Sequence, residues 1–376
     1  MNPHLSQIPP SLIRSINARK RPGDIDLGLG EPTLRPDPAP FETALAWVRE
    51  HGCPYSPNAG FPALRDAIAA YLPLPGATRD HVCVTVGSEE ALFLAIKTVV
   101  DPARHEVLVV EPCYLAYPKI CRMEGIRHRM VALRPEEGFR PRADLVLDAL
   151  RPETRLIVIN SPANPTGRVW PAEELEALAR GLEGRSEPVY VLSDEVYREL
   201  YFTSSPARSI AEWHPHTLLA GSLSKSSALT GLRLGWLAGP REAVEGAVKV
   251  HQFVNTAADT FAQRVALEHL RDPASLGAHR PAYAATREVL LSAADRHGVD
   301  LLPPEGAFYA LVRLPLPLAA DSVAAAERLL EEVRVVTVPG RAFGESGEGW
   351  LRLSWVAPPE ALEEGVRRIG AWLEGG

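Results

Sequence analysis

Unbroken apolar runs at 82–86, 107–110, 156–159, 189–192 and 217–220 set the rhythm of this chain. Between them lie stretches whose apolar residues recur three and four apart, as in Leu92, Phe93, Ile96, Val99 and Val100. Runs without an in–out alternation predict strands buried on both faces, and the intervening period predicts helices. Strand and helix taking turns predicts an α/β fold with a mainly parallel sheet covered by helices on both faces. A helical period through Leu64, Ile68 and Tyr71 follows Pro62, which suits a first helical turn. A longer helical stretch, 241–270, is interrupted near Asn255 and Thr256.

From about 275 the pattern changes. A helix precedes Pro303-Pro304, short strands follow at 309–314 and 335–338, and 338–344 reads as a loop. Residues 350–355 alternate, and an amphipathic helix with Leu362, Val366, Ile369 and Trp372 closes the chain. This predicts a smaller α+β domain. The N-terminal arm carries Pro9-Pro10 and a short helical pattern through Leu12, Ile13 and Ile16. At 376 residues the chain exceeds what one core usually holds. The expected partition is an arm and part of the small domain over 1–40, a large domain over 41–275 and a small C-terminal domain over 276–376.

Composition narrows the class. A net charge of −7 without a basic run argues against nucleic acid or an anionic membrane as partner. No apolar run approaches the roughly 18 residues of a membrane helix, and Met1-Asn2-Pro3-His4 lacks a signal-peptide layout. Cys53, Cys83, Cys113 and Cys121 show neither metal nor redox spacing, so reduced thiols, no metal site and a cytoplasmic location are expected. Lysine and arginine together number 40, yet only Lys20, Lys97, Lys119, Lys225 and Lys249 are amines.

Polar residues cluster just past the apolar runs. In an open α/β sheet those carboxyl ends share one edge, where ligands bind. Asn164, Asp194 and Lys225 lie 30 and 31 residues apart, the length of successive β–α units, so they are expected to meet in one crevice. An amine at a strand end suits a Schiff base with a carbonyl cofactor. The hydroxyls of Ser222 and Ser224 and the guanidinium of Arg233 suit a phosphate dianion.

Asn-Pro-Thr-Gly at 164–167, Asp-Glu-Val-Tyr at 194–197 and Ser-Leu-Ser-Lys at 222–225, with Gly-Leu-Arg-Leu-Gly at 231–235 behind it, resemble one family in order and spacing. That family is the class I/II aminotransferases, fold-type I pyridoxal-phosphate enzymes of the aspartate aminotransferase superfamily. The resemblance implies a large domain with a seven-stranded type of sheet. It implies that Lys225 holds pyridoxal 5'-phosphate as an internal aldimine and then moves the substrate α-proton. Asp194 would pair with the pyridine nitrogen, and Tyr197 and Asn164 would hydrogen-bond the cofactor 3-hydroxyl. Tyr114 would stack on the ring.

The phosphate would meet Ser88 and Glu89 at a helix start, together with Ser222, Ser224 and Arg233; which of the two flanking serines reaches it stays open. Tyr55 would contact it from a neighbouring subunit, implying a homodimer. Arg352 would grip the substrate α-carboxylate beside the Gly30 backbone and Asn164. Asn164–Pro165 is expected to be cis.

The implied reaction moves an amino group from an L-amino acid to a 2-oxo acid by a ping-pong route; the alternative is a C–S β-lyase with the same cofactor. A dinucleotide-dependent dehydrogenase would need a Gly-x-Gly-x-x-Gly turn after a strand, which is absent. No cation stands out as dedicated to a distal carboxylate, with Arg14, Arg19 and Arg341 as candidates expected to be solvated.

Overall fold

The computed structural model describes residues 3–6 and 8–375. Strand β1 (Ile25–Asp26) pairs in parallel with Val335–Val336, joining the start of the chain to its C-terminal third. The main sheet contains β2 (Val82–Thr85), β3 (Glu106–Glu111), β4 (Arg127–Ala132), β5 (Thr154–Asn160), β6 (Tyr190–Asp194), β7 (Thr217–Gly221) and β8 (Gly235–Ala238). Its order is β2-β8-β7-β6-β5-β3-β4. All neighbours run parallel except β8, which is antiparallel to both β2 and β7.

The unbroken apolar runs follow from burial on two sides. Val107 and Val109 pack with Leu92 and Ile96 of the helix Gly87–Val99, whereas Leu108 and Val110 pack with Leu175 and Leu178 of the helix Ala172–Gly181. A third cluster covers Val84, Leu219 and Trp236 with Leu64, Ile68 and Val265. The middle residues of these strands therefore need apolar side chains regardless of which way they point.

Two strands of the main sheet escaped the sequence pattern. Strand β4 reads Arg-His-Arg-Met-Val-Ala and lies at the sheet edge, half-exposed, where polar side chains are tolerated. Strand β8 begins at Gly235, inside the stretch read as a phosphate motif.

The smaller sheet comprises β9 (Leu301–Leu302), β10 (Tyr309–Arg313), β12 (Val338–Pro339) and β13 (Trp350–Ser354), in the order β12-β13-β10-β9; β11 is the Val335–Val336 partner of β1. The expected in–out alternation of β13 is present in direction but not in exposure. Leu351 and Leu353 enter a cluster with Leu290, Leu329 and Ile369, while Trp350 packs with Phe139 on the opposite side, so the whole strand is buried. Ile16 and Leu27 join the first of these clusters. The loop at 338–344 contains a 3-10 turn, Gly340–Phe343.

Gly235 has the tightest backbone approach near the site. A Cβ there would lie 2.5 Å from the Ser88 nitrogen and 2.6 Å from the Gly87 carbonyl carbon, and backbone cannot swing aside. Gly235→Ala is expected to destabilise the protein by about 1–3 kcal/mol, read as a lower urea midpoint. An unchanged midpoint would show that the turn before Ser88 has slack.

Candidate active site

Strands β5, β6 and β7 end level with one another: Asn160 pairs with Asp194, and Asp194 with Ala220. Their carboxyl ends floor a cavity of about 270 Å³. Its lining includes Gly30, Ser88, Glu89, Tyr114, Asn164, Asp194, Tyr197, Ser224, Lys225, Arg233 and Arg352. Asn164, Asp194 and Lys225 thus converge, as the spacing of the β–α units predicts, and Gly30 and Arg352 join them from outside those units.

Asp194 is buried, and its Oδ2 accepts from the Tyr117 hydroxyl at 2.7 Å. Oδ1 accepts from the Val196 N–H at 3.3 Å. Among the described residues no cation pairs with it, and burial pushes its pKa up to about 6. The Asn160 amide donates to the Asp194 carbonyl at 2.8 Å and fixes the strand end from the neighbouring strand.

Lys225 lies four residues past the end of β7, half-buried, and its Nζ donates to the Gly30 carbonyl at 2.7 Å. The Tyr197 and Tyr309 hydroxyls are 3.1 Å apart, both buried. Asn164 follows β5, and its Oδ1 accepts from Arg352 Nη1 at 3.1 Å. The Asn164–Pro165 bond is cis, as expected.

Arg352 is buried at 3% exposure, which removes the reading of it as a solvent-facing strand arginine. Its Nη2 donates to the Gly28 carbonyl at 2.7 Å, while its Nε is buried without an acceptor. The guanidinium lies over the Tyr309 ring, 4.3 Å from the centroid, and faces Phe343 at 5.0 Å. Strand alternation produces this aim: Leu351 and Leu353 point into the apolar cluster, so Arg352 points at the cavity.

At the opposite end, Ser88 sits in the first turn of the helix Gly87–Val99, whose leading N–H groups have no helical acceptor. Arg233 reaches over Gly87, where a Cβ would lie 2.7 Å from Nη2 and push the guanidinium from this position, and the φ of +75° itself favours glycine. Ser222 and Ser224 separate here. Ser222 donates to the Leu234 carbonyl at 2.7 Å and lies outside the cavity lining; Ser224 lies within it. Glu89 directs its carboxylate to the Tyr114 hydroxyl at 2.9 Å, leaving only its backbone N–H for an anion. Tyr55 is 87% exposed and does not reach the cavity of its own chain.

The family model for aminotransferase class I and II matches residues 25–369. An aspartate/prephenate aminotransferase from Thermus thermophilus is 36% identical over 97% of this chain and 96% of its own. The solved structure of the T. thermophilus aspartate aminotransferase with maleate, 35% identical, has a TM-score of 0.91 over 99% of each chain. Aspartate aminotransferase from Thermotoga maritima, 30% identical, has a TM-score of 0.92 over 100% of both. The chain belongs to the class I and II aminotransferases.

It is accordingly an aminotransferase, and the C–S β-lyase alternative is not favoured by these relatives. Enzymes of the family generally depend on pyridoxal phosphate. The residues present fit that group. A buried carboxylate without a cation suits a protonated pyridine nitrogen, and a helix start with a serine and an arginine suits a phosphate.

Sequence reasoning missed two residues here. Tyr117 and Tyr309 sit among apolar neighbours in a helix and a strand, so each reads as core; both are core by packing and polar by their hydroxyls. Among the described residues no group of three or more His, Cys, Asp or Glu could hold a metal. No helix among them is long and apolar enough to cross a membrane.

The raised Asp194 pKa gives a pH signature in the cofactor-free protein. Between about 4 and 6 the folded state binds a proton that the unfolded state has lost, so stability falls as pH rises through that window. Asp194→Asn removes the charge and is expected to gain up to about 3 kcal/mol relative to wild type at pH 7.5 over its effect at pH 4. Urea denaturation of the stripped proteins at the two pH values checks this. A difference independent of pH would show that Asp194 is already neutral or already compensated.

Proposed function

We propose that this aminotransferase works through pyridoxal phosphate attached at Lys225, with its ring nitrogen on Asp194 and its phosphate between the Ser88 helix start, Ser224 and Arg233. The carrying observation is the pair of opposite buried charges in one cavity, Asp194 and Arg352, neither with a counter-ion among the described residues. When bound, the cofactor supplies a reactive carbonyl and a ring that accepts electrons. The residues do the rest.

Asp194 favours the positively charged ring nitrogen, because a carboxylate in a low-dielectric site gains most from a cation in contact. Tyr114, at the cavity wall, covers the ring face, and its hydroxyl is held by Glu89. Tyr197 and Asn164 hydrogen-bond the oxygen at the ring 3-position. Lys225 supplies the amine at attachment and takes or returns the α-proton once released. Arg352 presents two N–H donors to the substrate α-carboxylate, and its orphan Nε is a third. This fixes the α-hydrogen relative to the ring, which makes proton removal the favoured outcome.

Ser222 acts one step back: its single hydroxyl proton reaches either the Leu234 carbonyl or Ser224 Oγ, both at 2.7 Å, and turns to Ser224 when that hydroxyl donates to the phosphate. The large domain, 41–275, would carry the cofactor, and 1–40 with 276–376 would cover it. A homodimer follows the family resemblance, with exposed Tyr55 reaching the phosphate bound by the other subunit, while four cysteines without metal or redox spacing support a cytoplasmic location.

Borohydride reduction followed by peptide mapping is expected to place the cofactor on Lys225. Lys225→Ala should lose that label and slow transamination by about 10⁴-fold; a label on another lysine overturns the assignment. Arg352→Lys keeps the charge but loses the fork, and should lower kcat/KM about 10–100-fold for every amino donor. A loss confined to one donor would move Arg352 from the α-carboxylate to the side chain.

A further inference from the structure

The helix Gly87–Val99 begins without the usual side-chain cap. Its N-cap residue is Val86, which has no side-chain oxygen to accept from the first turn. The leading N–H groups are thereby left for a ligand, but the cap itself does not fix their direction. Two neighbouring groups do. The Thr85 hydroxyl donates to the Gly87 carbonyl at 2.9 Å, and Glu90 Oε2 accepts from the Val86 N–H at 2.6 Å. Glu90 thus reaches back over the turn that presents Ser88 and closes it.

The other carboxylate oxygen is tied to a helix far away in the chain. Glu90 Oε1 accepts from His251 Nδ1 at 2.8 Å and from Asn255 Nδ2 at 2.7 Å. An ionised carboxylate only accepts, so His251 Nδ1 carries the proton of this contact. The Glu90 side chain is 8% exposed and that of His251 0%, so the pair is enclosed within a single chain. His251 lies in the last turn of the helix Arg241–Val254, and Asn255 is its C-cap. The interruption of the helical pattern near Asn255 therefore frees a side-chain amide to meet Glu90.

Hydrogen bonds to an ionised acceptor are stronger than neutral ones, and here a single carboxylate receives three. They hold Glu90 in place. They also spread its negative charge, which would otherwise repel an anion at the same helix end.

We propose that Glu90, anchored by His251 and Asn255, is a positioning residue for the cofactor phosphate, fixing the turn from Val86 to Ser88 in the geometry that receives it. The proposal rests on the phosphate site assigned above to Ser88, Ser224 and Arg233. Glu90 touches no reacting atom and does not line the cavity. Its contribution is preorganisation, because a turn already held in its binding geometry loses less freedom when the anion arrives.

The test titrates the stripped, full-length protein by calorimetry with pyridoxamine 5'-phosphate and with pyridoxamine, in buffer free of phosphate. Neither ligand forms an imine with Lys225, so the ratio of the two affinities reads the phosphate alone. In the wild type the phosphate is expected to tighten binding by about 100-fold or more. Glu90→Met keeps the length of the side chain and loses the acceptor, and should cut the ratio about tenfold. Glu90→Gln keeps an acceptor for Val86 and should stay within about threefold of wild type. His251→Leu removes one donor from the carboxylate and should cut the ratio about threefold; it decides alone if Glu90→Met does not fold. A Glu90 that serves only the fold would lower the urea midpoint and leave the ratio unmoved, which overturns the proposal. A wild-type ratio near one overturns the phosphate site itself, and this proposal with it.

Discussion

The site depends on two charges of opposite sign buried in one cavity and kept apart. Asp194 has only a phenol and a backbone N–H for company, and Arg352 has two carbonyl-type oxygens and two aromatic faces. Burying a charge without a counter-ion destabilises a fold, so each of these positions weakens the empty protein. A ligand with a cation at one end and an anion at the other relieves both. A protonated pyridine ring and an amino-acid carboxylate have that arrangement, and binding them stabilises the folded state by the same linkage that makes the site selective.

The charges are held apart because they belong to different sheets. Asp194 ends β6 of the seven-stranded sheet, and Arg352 is the middle residue of β13 in the four-stranded one. Asp194 and Arg352 are both buried with the strand residues beside them, so neither side chain can relax toward solvent. The cavity is then the gap where the two sheets' polar residues face each other across apolar packing. Asn164 bridges that gap, since it follows β5 of the large sheet and accepts from Arg352 of the small one.

Much of this was legible from the order of residues. Strands covered on both faces require apolar residues through their middles, and the unbroken runs within β2, β3, β5, β6 and β7 record that requirement. The convergence of Asn164, Asp194 and Lys225 follows from the length of a β–α unit. Less was legible where one residue serves two purposes. Tyr117 is fully buried beside Ile120 and Cys121, which is all its neighbours announce, while its hydroxyl reaches across to a strand 77 residues later. Ser222 and Ser224 are indistinguishable in sequence. They separate only once the chain turns, so that Ser222 meets the Leu234 carbonyl and Ser224 meets the cavity. Edge strand β4 is polar because its exposed position permits it, and no periodicity survives to mark it.

The two phenols at the centre show how a single glycine can organise several groups. Tyr197 and Tyr309 each carry one hydroxyl proton, and at 3.1 Å one must donate to the other. If Tyr197 is to donate to the oxygen at the ring 3-position, Tyr309 has to be the donor of this pair. Tyr309 can hold that position only because Gly30 has no side chain: a Cβ there would lie 2.6 Å from the Tyr309 oxygen. The same glycine offers its carbonyl to Lys225 at 2.7 Å. Any larger residue at 30 would therefore displace the phenol that orients Tyr197 and disturb the backbone oxygen that receives the amine. The constraint at Gly30 is steric in origin, and its consequence is the direction of a proton.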